Sequence, residues 1–268
     1  MNIISNRNMI KYAITLATIF LVSCTITSSY YQVFKAIPEN GTITKDQIVF
    51  EDMNCKVAYN LWGADGGDIG FGIYNKTDED IILDLTKTFF ILNGVAYDYF
   101  QNSSTTKSNT SGTTLTSYNY PYYYYYWSRS SSRFSGTSST TFSNTYVEKP
   151  QLIIPSKTQR VISEFRVAKS RYLNCDLLKA PSARKVKTLQ FEKSNSPFVF
   201  YNLISYRTSK DSARMENKFY VTEITNRPAS QMFISVDTNS CGKSLNIPET
   251  IFRDVRPDKF YFRYSVEK

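Results

Sequence analysis

The chain predicts an all-β fold, an antiparallel β-sandwich carrying one long Ser/Thr/Tyr-rich loop insertion and one or two short helices. Three observations lead there. Apolar residues recur with period two along most of the 268 residues, not with the 3.6 period of a helix. The alternating runs are short, about a dozen in number, and turn signals separate them roughly every 8–12 residues. Aromatics make up 15% of the chain against only 10 Gly and 9 Pro, a composition that packs a core and excludes a disordered or collagen-like chain.

Residues 1–23 form the first element. Arg7 and Lys11 precede a mostly apolar run at 12–22. A bilayer-spanning helix needs roughly 20 apolar residues, so this run is too short and is bounded as a secretory signal peptide is. A start at Met9 would still leave a complete short signal. Leu21-Val22-Ser23-Cys24 resembles the bacterial lipobox, in which the cysteine becomes the lipidated N-terminus, so Cys24 is the expected lipidation site. Each buried methylene of an acyl chain contributes about 0.8 kcal/mol, and stable anchoring takes more than one chain. Thr25 rather than Asp follows the cysteine, which by resemblance to known sorting rules favours the outer membrane. Residues 24–29 then make a lipidated tether, and 30–268 the sandwich domain.

The strands follow in order. Residues 30–35 open the domain. Val57, Tyr59 and Leu61 alternate with Lys56, Ala58 and Asn60, and a further strand covers 69–74. Ile81, Leu83 and Leu85 alternate with Ile82, Asp84 and Thr86. Asn93-Gly94 between the apolar runs 89–92 and 95–100 is the strongest local signal, because a two-residue hairpin turn needs residues that accept positive φ. Further strands are expected at 152–154, 161–167, 188–191, 198–206, 219–225, 232–236 and 260–264. Helical patterning is scarce; 209–218 and 248–255 are the two segments expected to make a few turns each.

Residues 101–147 break the pattern. They hold 13 Ser, 10 Thr and no acidic residue, and a stretch of this length without core periodicity is too long for a compact connection. Inside it lies an aromatic block. On an extended chain Tyr122, Tyr124 and Tyr126 share one side, and Tyr123, Tyr125 and Trp127 the other. Amphipathic rings stack on sugar faces or settle among lipid headgroups, and Arg129 suits an anionic partner. Tyr122, Tyr124, Tyr126, Trp127 and Arg129 are therefore the expected contacts to envelope glycan or membrane.

Catalytic signatures are missing. The chain contains no histidine, which removes Ser-His-Asp and Cys-His catalysis, histidine zinc sites and the histidine pH switch. Asp65-Gly66-Gly67-Asp68 and Asp78-Glu79-Asp80 fall at strand ends without the register of a calcium loop, so they read as turns and no metal or cofactor is expected. The stretch 237–244 imitates a phosphate-binding loop but opens on Asp237 instead of glycine and has no strand–helix context. Asp211-Ser212-Ala213 resembles the Asp-Ser/Thr-apolar O-glycosylation site of Bacteroidota, which marks Ser212 as a candidate. Cys55, Cys175 and Cys241 allow three alternative disulfides, with a buried free thiol expected at Cys55. The net charge of +9 suits anionic surfaces, and an exported chain has no nucleic acid to meet.

Several segments together resemble a family of uncharacterised Bacteroidota envelope lipoproteins: the lipobox, the runs at 31–35 and 71–77, the hairpin run 89–94, Ile154-Pro155 and the run 195–202. The resemblance implies an immunoglobulin-like or related β fold and residence in the cell envelope, and it attaches no activity. The expected role is an outer-membrane lipoprotein that binds or scaffolds, with another envelope protein or a glycan as partner. The alternative is a glycan-acting envelope enzyme built on an Asp/Glu pair that sequence does not identify.

Overall fold

A computed structural model describes residues 27–101, 104–109, 142–147, 149–240 and 243–267. The first half supplies β1 (Thr27–Pro38), β2 (Thr42–Ile43), β3 (Ile48–Glu51), β4 (Cys55–Tyr59), β5 (Phe71–Asn75) and β6 (Ile81–Asp84). Next come β7 (Phe89–Leu92), β8 (Val95–Asp98), β9 (Ser104–Asn109) and β10 (Phe142–Val147). The second half adds β11 (Gln151–Ile154), β12 (Gln159–Ile162), β13 (Thr188–Gln190) and β14 (Val199–Arg207). The remaining strands are β15 (Ser212–Pro228), β16 (Phe233–Ser240), β17 (Lys243–Phe252) and β18 (Lys259–Glu267), and a short helix, α1, lies at Ala229–Met232.

The strands pair antiparallel into two main sheets that face each other, the sandwich the alternating pattern predicts. The larger sheet runs β11-β6-β14-β15-β1-β18, with β7 and β8 extending from β14 and β13 pairing with β15. The smaller runs β12-β5-β4-β3-β2. Each buries one face, and the two faces meet in an aromatic core. Phe219 of β15 lies 5.2 Å, ring to ring, from Phe50 of β3, Tyr59 of β4 and Phe200 of β14. A buried polar cluster ties this core to the strand register. Asn202 donates to the backbone carbonyl of Ile69 at 2.9 Å and accepts from the Tyr99 hydroxyl at 3.0 Å, and Asn217 donates to the Tyr59 hydroxyl at 2.8 Å.

The turn chemistry behaves as its residue types dictate. Asn93 and Gly94 both take positive φ (49° and 84°) and close the β7–β8 hairpin. Asp78, Glu79 and Asp80 form a charged tip between β5 and β6, where Asp78 pairs with Lys157 at 3.0 Å and Asp80 accepts from the Ser156 amide.

The helix expectations are corrected. Residues 212–218 belong to the 17-residue strand β15, and 248–252 to β17, which pairs with β16. The short helix lies instead at α1. Two further boundaries differ. Strand β12 ends at Ile162, where an extended strand to 167 was expected, and 163–168 crosses to the turn at 65–68. Residues 27–29, expected in the tether, already pair with β18. The ends of the 101–147 insertion are not loop: β9 and β10 zip into a two-stranded ladder from Ser104↔Val147 to Asn109↔Phe142. The imitation phosphate loop at 237–244 joins two strands, which rules out the strand–loop–helix setting such a loop needs.

Candidate binding site

A concavity of about 310 Å³ opens at the turn end of the β14–β15 hairpin. It is built in three steps. Thr208 and Asp211 close the hairpin, the Thr208 amide donating to the Asp211 carbonyl and the Thr208 hydroxyl oxygen accepting from the amides of Lys210 and Asp211. The register then sets Ser205 opposite Arg214 and Arg207 opposite Ser212. Alternation in a strand puts these four side chains on one face, in a chequered Ser/Arg arrangement, and sends Tyr206 and Ala213 to the other.

The wall comes from a break in the neighbouring strand. One edge of β14 is shared by β6 and β7, and a 3-10 turn at Leu85–Lys87 steps between them. Asp84 caps that turn, accepting from the Thr86 amide at 3.1 Å and the Thr86 hydroxyl at 2.5 Å. Ser205 fastens the turn to β14, donating its hydroxyl to the Lys87 carbonyl at 2.8 Å, while its amide donates to the Thr88 hydroxyl at 3.2 Å. Lys87 and Asp84 thereby join Ser205, Arg207, Ser212 and Arg214 around the groove.

The groove is cationic. Three basic side chains face one carboxylate, and Asp84 lies 3.8 Å from Lys87 Nζ. Arg214 Nε donates to Ser205 Oγ at 3.4 Å and Arg207 Nη2 to Gln151 Oε1 at 3.1 Å. Among the described residues neither arginine has a carboxylate partner. A second concavity lies beside Trp62, Arg227 and Met232, and at about 10 Å³ it is the size of a single water.

The other polar clusters are structural. In the turn at 65–68, Gly66 and Gly67 both take positive φ, and Gly66 has a Cβ position only 2.3 Å from the Ala168 carbonyl, so glycine is required there. Asp65 accepts from the Arg263 amide, and Asp68 accepts from the Gly70 amide, the Ser163 hydroxyl and Arg166. Its carboxylates hold the turn in place. Among the described residues no group of three or more Cys, Asp or Glu side chains is placed to hold a metal ion.

Of the residues singled out from sequence, Ser212 alone enters the groove. It is exposed and begins β15. Cys24, Tyr122, Tyr124, Tyr126, Trp127 and Arg129 lie outside the described residues. Sequence reasoning missed Lys87, Ser205, Arg207 and Arg214. A signal existed: Ser205-Tyr206-Arg207 and Ser212-Ala213-Arg214 repeat Ser-x-Arg on either side of a four-residue turn. Reading 209–218 as helix hid it, because a helix turns residues two apart to different faces.

Cys55 and Cys175 are free thiols, and Cys241 lies outside the described residues. Burial, reinforced by the nearby Asp52 carboxylate, pushes the Cys55 thiol up to about 12. Cys175 is exposed. Iodoacetamide at pH 8 is therefore expected to alkylate Cys175 quickly and Cys55 about a hundredfold or more slowly until denaturant is added. Peptide mass spectrometry reads this, and fast native labelling of Cys55 contradicts its burial.

No protein-family model matches the chain, and no curated protein or solved structure matches it either.

Proposed function

We propose that this chain is a lipoprotein of the bacterial cell envelope, anchored in the outer membrane through Cys24, whose sandwich serves as a non-catalytic binding module. The groove carries the binding reading: three cations and two serine hydroxyls surround a single carboxylate. Such a lining attracts and orients an anion. It offers no histidine base, since the chain has none. Glycoside cleavage uses two carboxyl groups about 5–9.5 Å apart around one bond, and Asp84 stands in the groove without a second. Support for the anchor comes from the basic, short apolar and cysteine-terminated segment ending at Cys24 and from the resemblance to envelope lipoproteins.

The anchor is tested by expressing the wild-type chain and Cys24→Ala in a bacterium fed an alkyne-labelled fatty acid. The wild type is expected to take up label and sediment with the outer membrane. Cys24→Ala is expected to take up none and to leave that fraction. Equal sedimentation of the unlabelled variant removes the anchoring role of Cys24.

A further inference from the structure

We infer that the groove at the β14–β15 turn binds a phosphate monoester, held by the guanidinium groups of Arg207 and Arg214, the ammonium group of Lys87 and the hydroxyl of Ser212. This deepens the binding reading above and rests on it.

The strand register carries the inference. Arg207 pairs with Ser212 and Arg214 with Ser205, so the two arginines are diagonal neighbours on one face of the same strand pair. Such neighbours stand about 7–8 Å apart at Cα, within reach of long side chains. Like charges so placed repel, and a protein ordinarily relieves them with a carboxylate opposite each. Here the opposite residues are serines. Each arginine is held by one edge only, Arg214 through Nε to Ser205 Oγ and Arg207 through Nη2 to Gln151 Oε1. The remaining guanidinium donors of Arg214 have no partner among the described residues. Asp84, the one carboxylate, is held by the Thr86 amide and hydroxyl of its own turn.

Charge and size select the ligand class. The lining carries a surplus of two positive charges. A carboxylate would offset one of them. A phosphate monoester carries about −1.5 to −2 at neutral pH and offers three acceptor oxygens to donors arriving from several directions. Guanidinium groups meet such oxygens two at a time, which a lysine ammonium cannot do. The groove, at about 310 Å³, sits at the lower end of small-molecule sites, so the phosphoryl group and the first part of its carrier fit together. Ser205 acts as a positioning residue, joining the Arg214 guanidinium to the Lys87 backbone.

The experiment is titration calorimetry on the full chain in non-ionic detergent at low salt, with inorganic phosphate, glucose 6-phosphate and glucose. Flotation with phosphatidylcholine vesicles, with and without phosphatidic acid, adds the lipid source of the same group. Saturable binding of at least one phosphate carrier and none of glucose is expected, weakening as salt rises. Arg207→Gln/Arg214→Gln is expected to weaken it at least tenfold, and Arg207→Lys/Arg214→Lys to fall between that variant and the wild type. Tighter binding of glucose 6-phosphate than of the vesicles makes the carrier soluble; the reverse makes it a lipid headgroup, and both outcomes support the site. A wild-type chain that binds no phosphate carrier overturns the inference, as does undiminished binding by a folded double-glutamine variant. Where that variant does not fold, Ser212→Trp takes its place and must abolish binding by filling the rim, and undiminished binding by it overturns the site. Loss of phosphate binding with acylation at Cys24 intact removes this inference and leaves the anchor standing.

Discussion

Phe219→Ala is expected to lower the free energy of unfolding by about 3–5 kcal/mol, the usual range for emptying a buried phenylalanine site. Phe219 is fully buried. Its ring stacks on Phe200 in its own sheet, with an interplanar angle of 11°, and meets Phe50 and Tyr59 of the opposite sheet edge-on. Truncation therefore removes transfer energy, opens a cavity and breaks the contact between sheets together. The neighbours are themselves buried aromatics, so the site cannot collapse cheaply. For a chain of this size the loss corresponds to a melting temperature lower by about 10 °C. Denaturant titration of Phe219→Ala beside Phe219→Leu measures it, with the leucine variant expected to lose about half as much or less. A loss below about 1 kcal/mol in Phe219→Ala is incompatible with a sandwich closed at this ring.

Asp68→Ala is expected to cost about 2–3 kcal/mol, and the cause differs. The Asp68 side chain is 6% exposed and accepts from the Gly70 amide at 2.8 Å, the Ser163 hydroxyl at 3.0 Å and Arg166 at 3.2 Å. Arg166 is 39% exposed, so water screens that ion pair and it contributes little. The larger part of the cost comes from the donors left without an acceptor. The effect has a location as well as a size. Segment 163–168 is laid over the turn at 65–68 by Val167 and Ala168, whose amides donate to the carbonyls of Gly67 and Gly66. Hydrogen exchange at the amides of Val167 and Ala168 is expected to accelerate in Asp68→Ala. Asp68→Asn keeps an acceptor and is expected to lose less than half as much. Equal losses in the two variants, with exchange unchanged, contradict this account of the turn.

The difference between what was legible and what was not follows the range of the forces involved. Asn93-Gly94 was readable because the positive φ of a hairpin turn is decided by two adjacent residues. The alternation at Phe200, Asn202, Ile204 and Tyr206 was readable because a strand buries every second residue, though a buried asparagine in that series was not foreseen. Residues 209–218, rich in Lys, Ala, Arg, Met and Glu, favour a helix by local propensity. Residues 212–218 are strand because β14 pairs with them residue by residue, and β1 continues the same strand's pairing from Phe219 onward. Propensities of a few tenths of a kcal/mol per residue yield to a ladder of hydrogen bonds and a buried face.

Sequence alone determined the β class, the hairpin chemistry and the absence of imidazole, because each is written in neighbouring residues or in composition. Tertiary structure alone decided the groove. Lys87 meets Arg207 and Arg214 only because the step between β6 and β7 falls against the β14 edge, and the arginines share a face only through their register with the serines. An electrostatic site depends on distances through space, and those distances are set by strand order, which no local run of residues encodes.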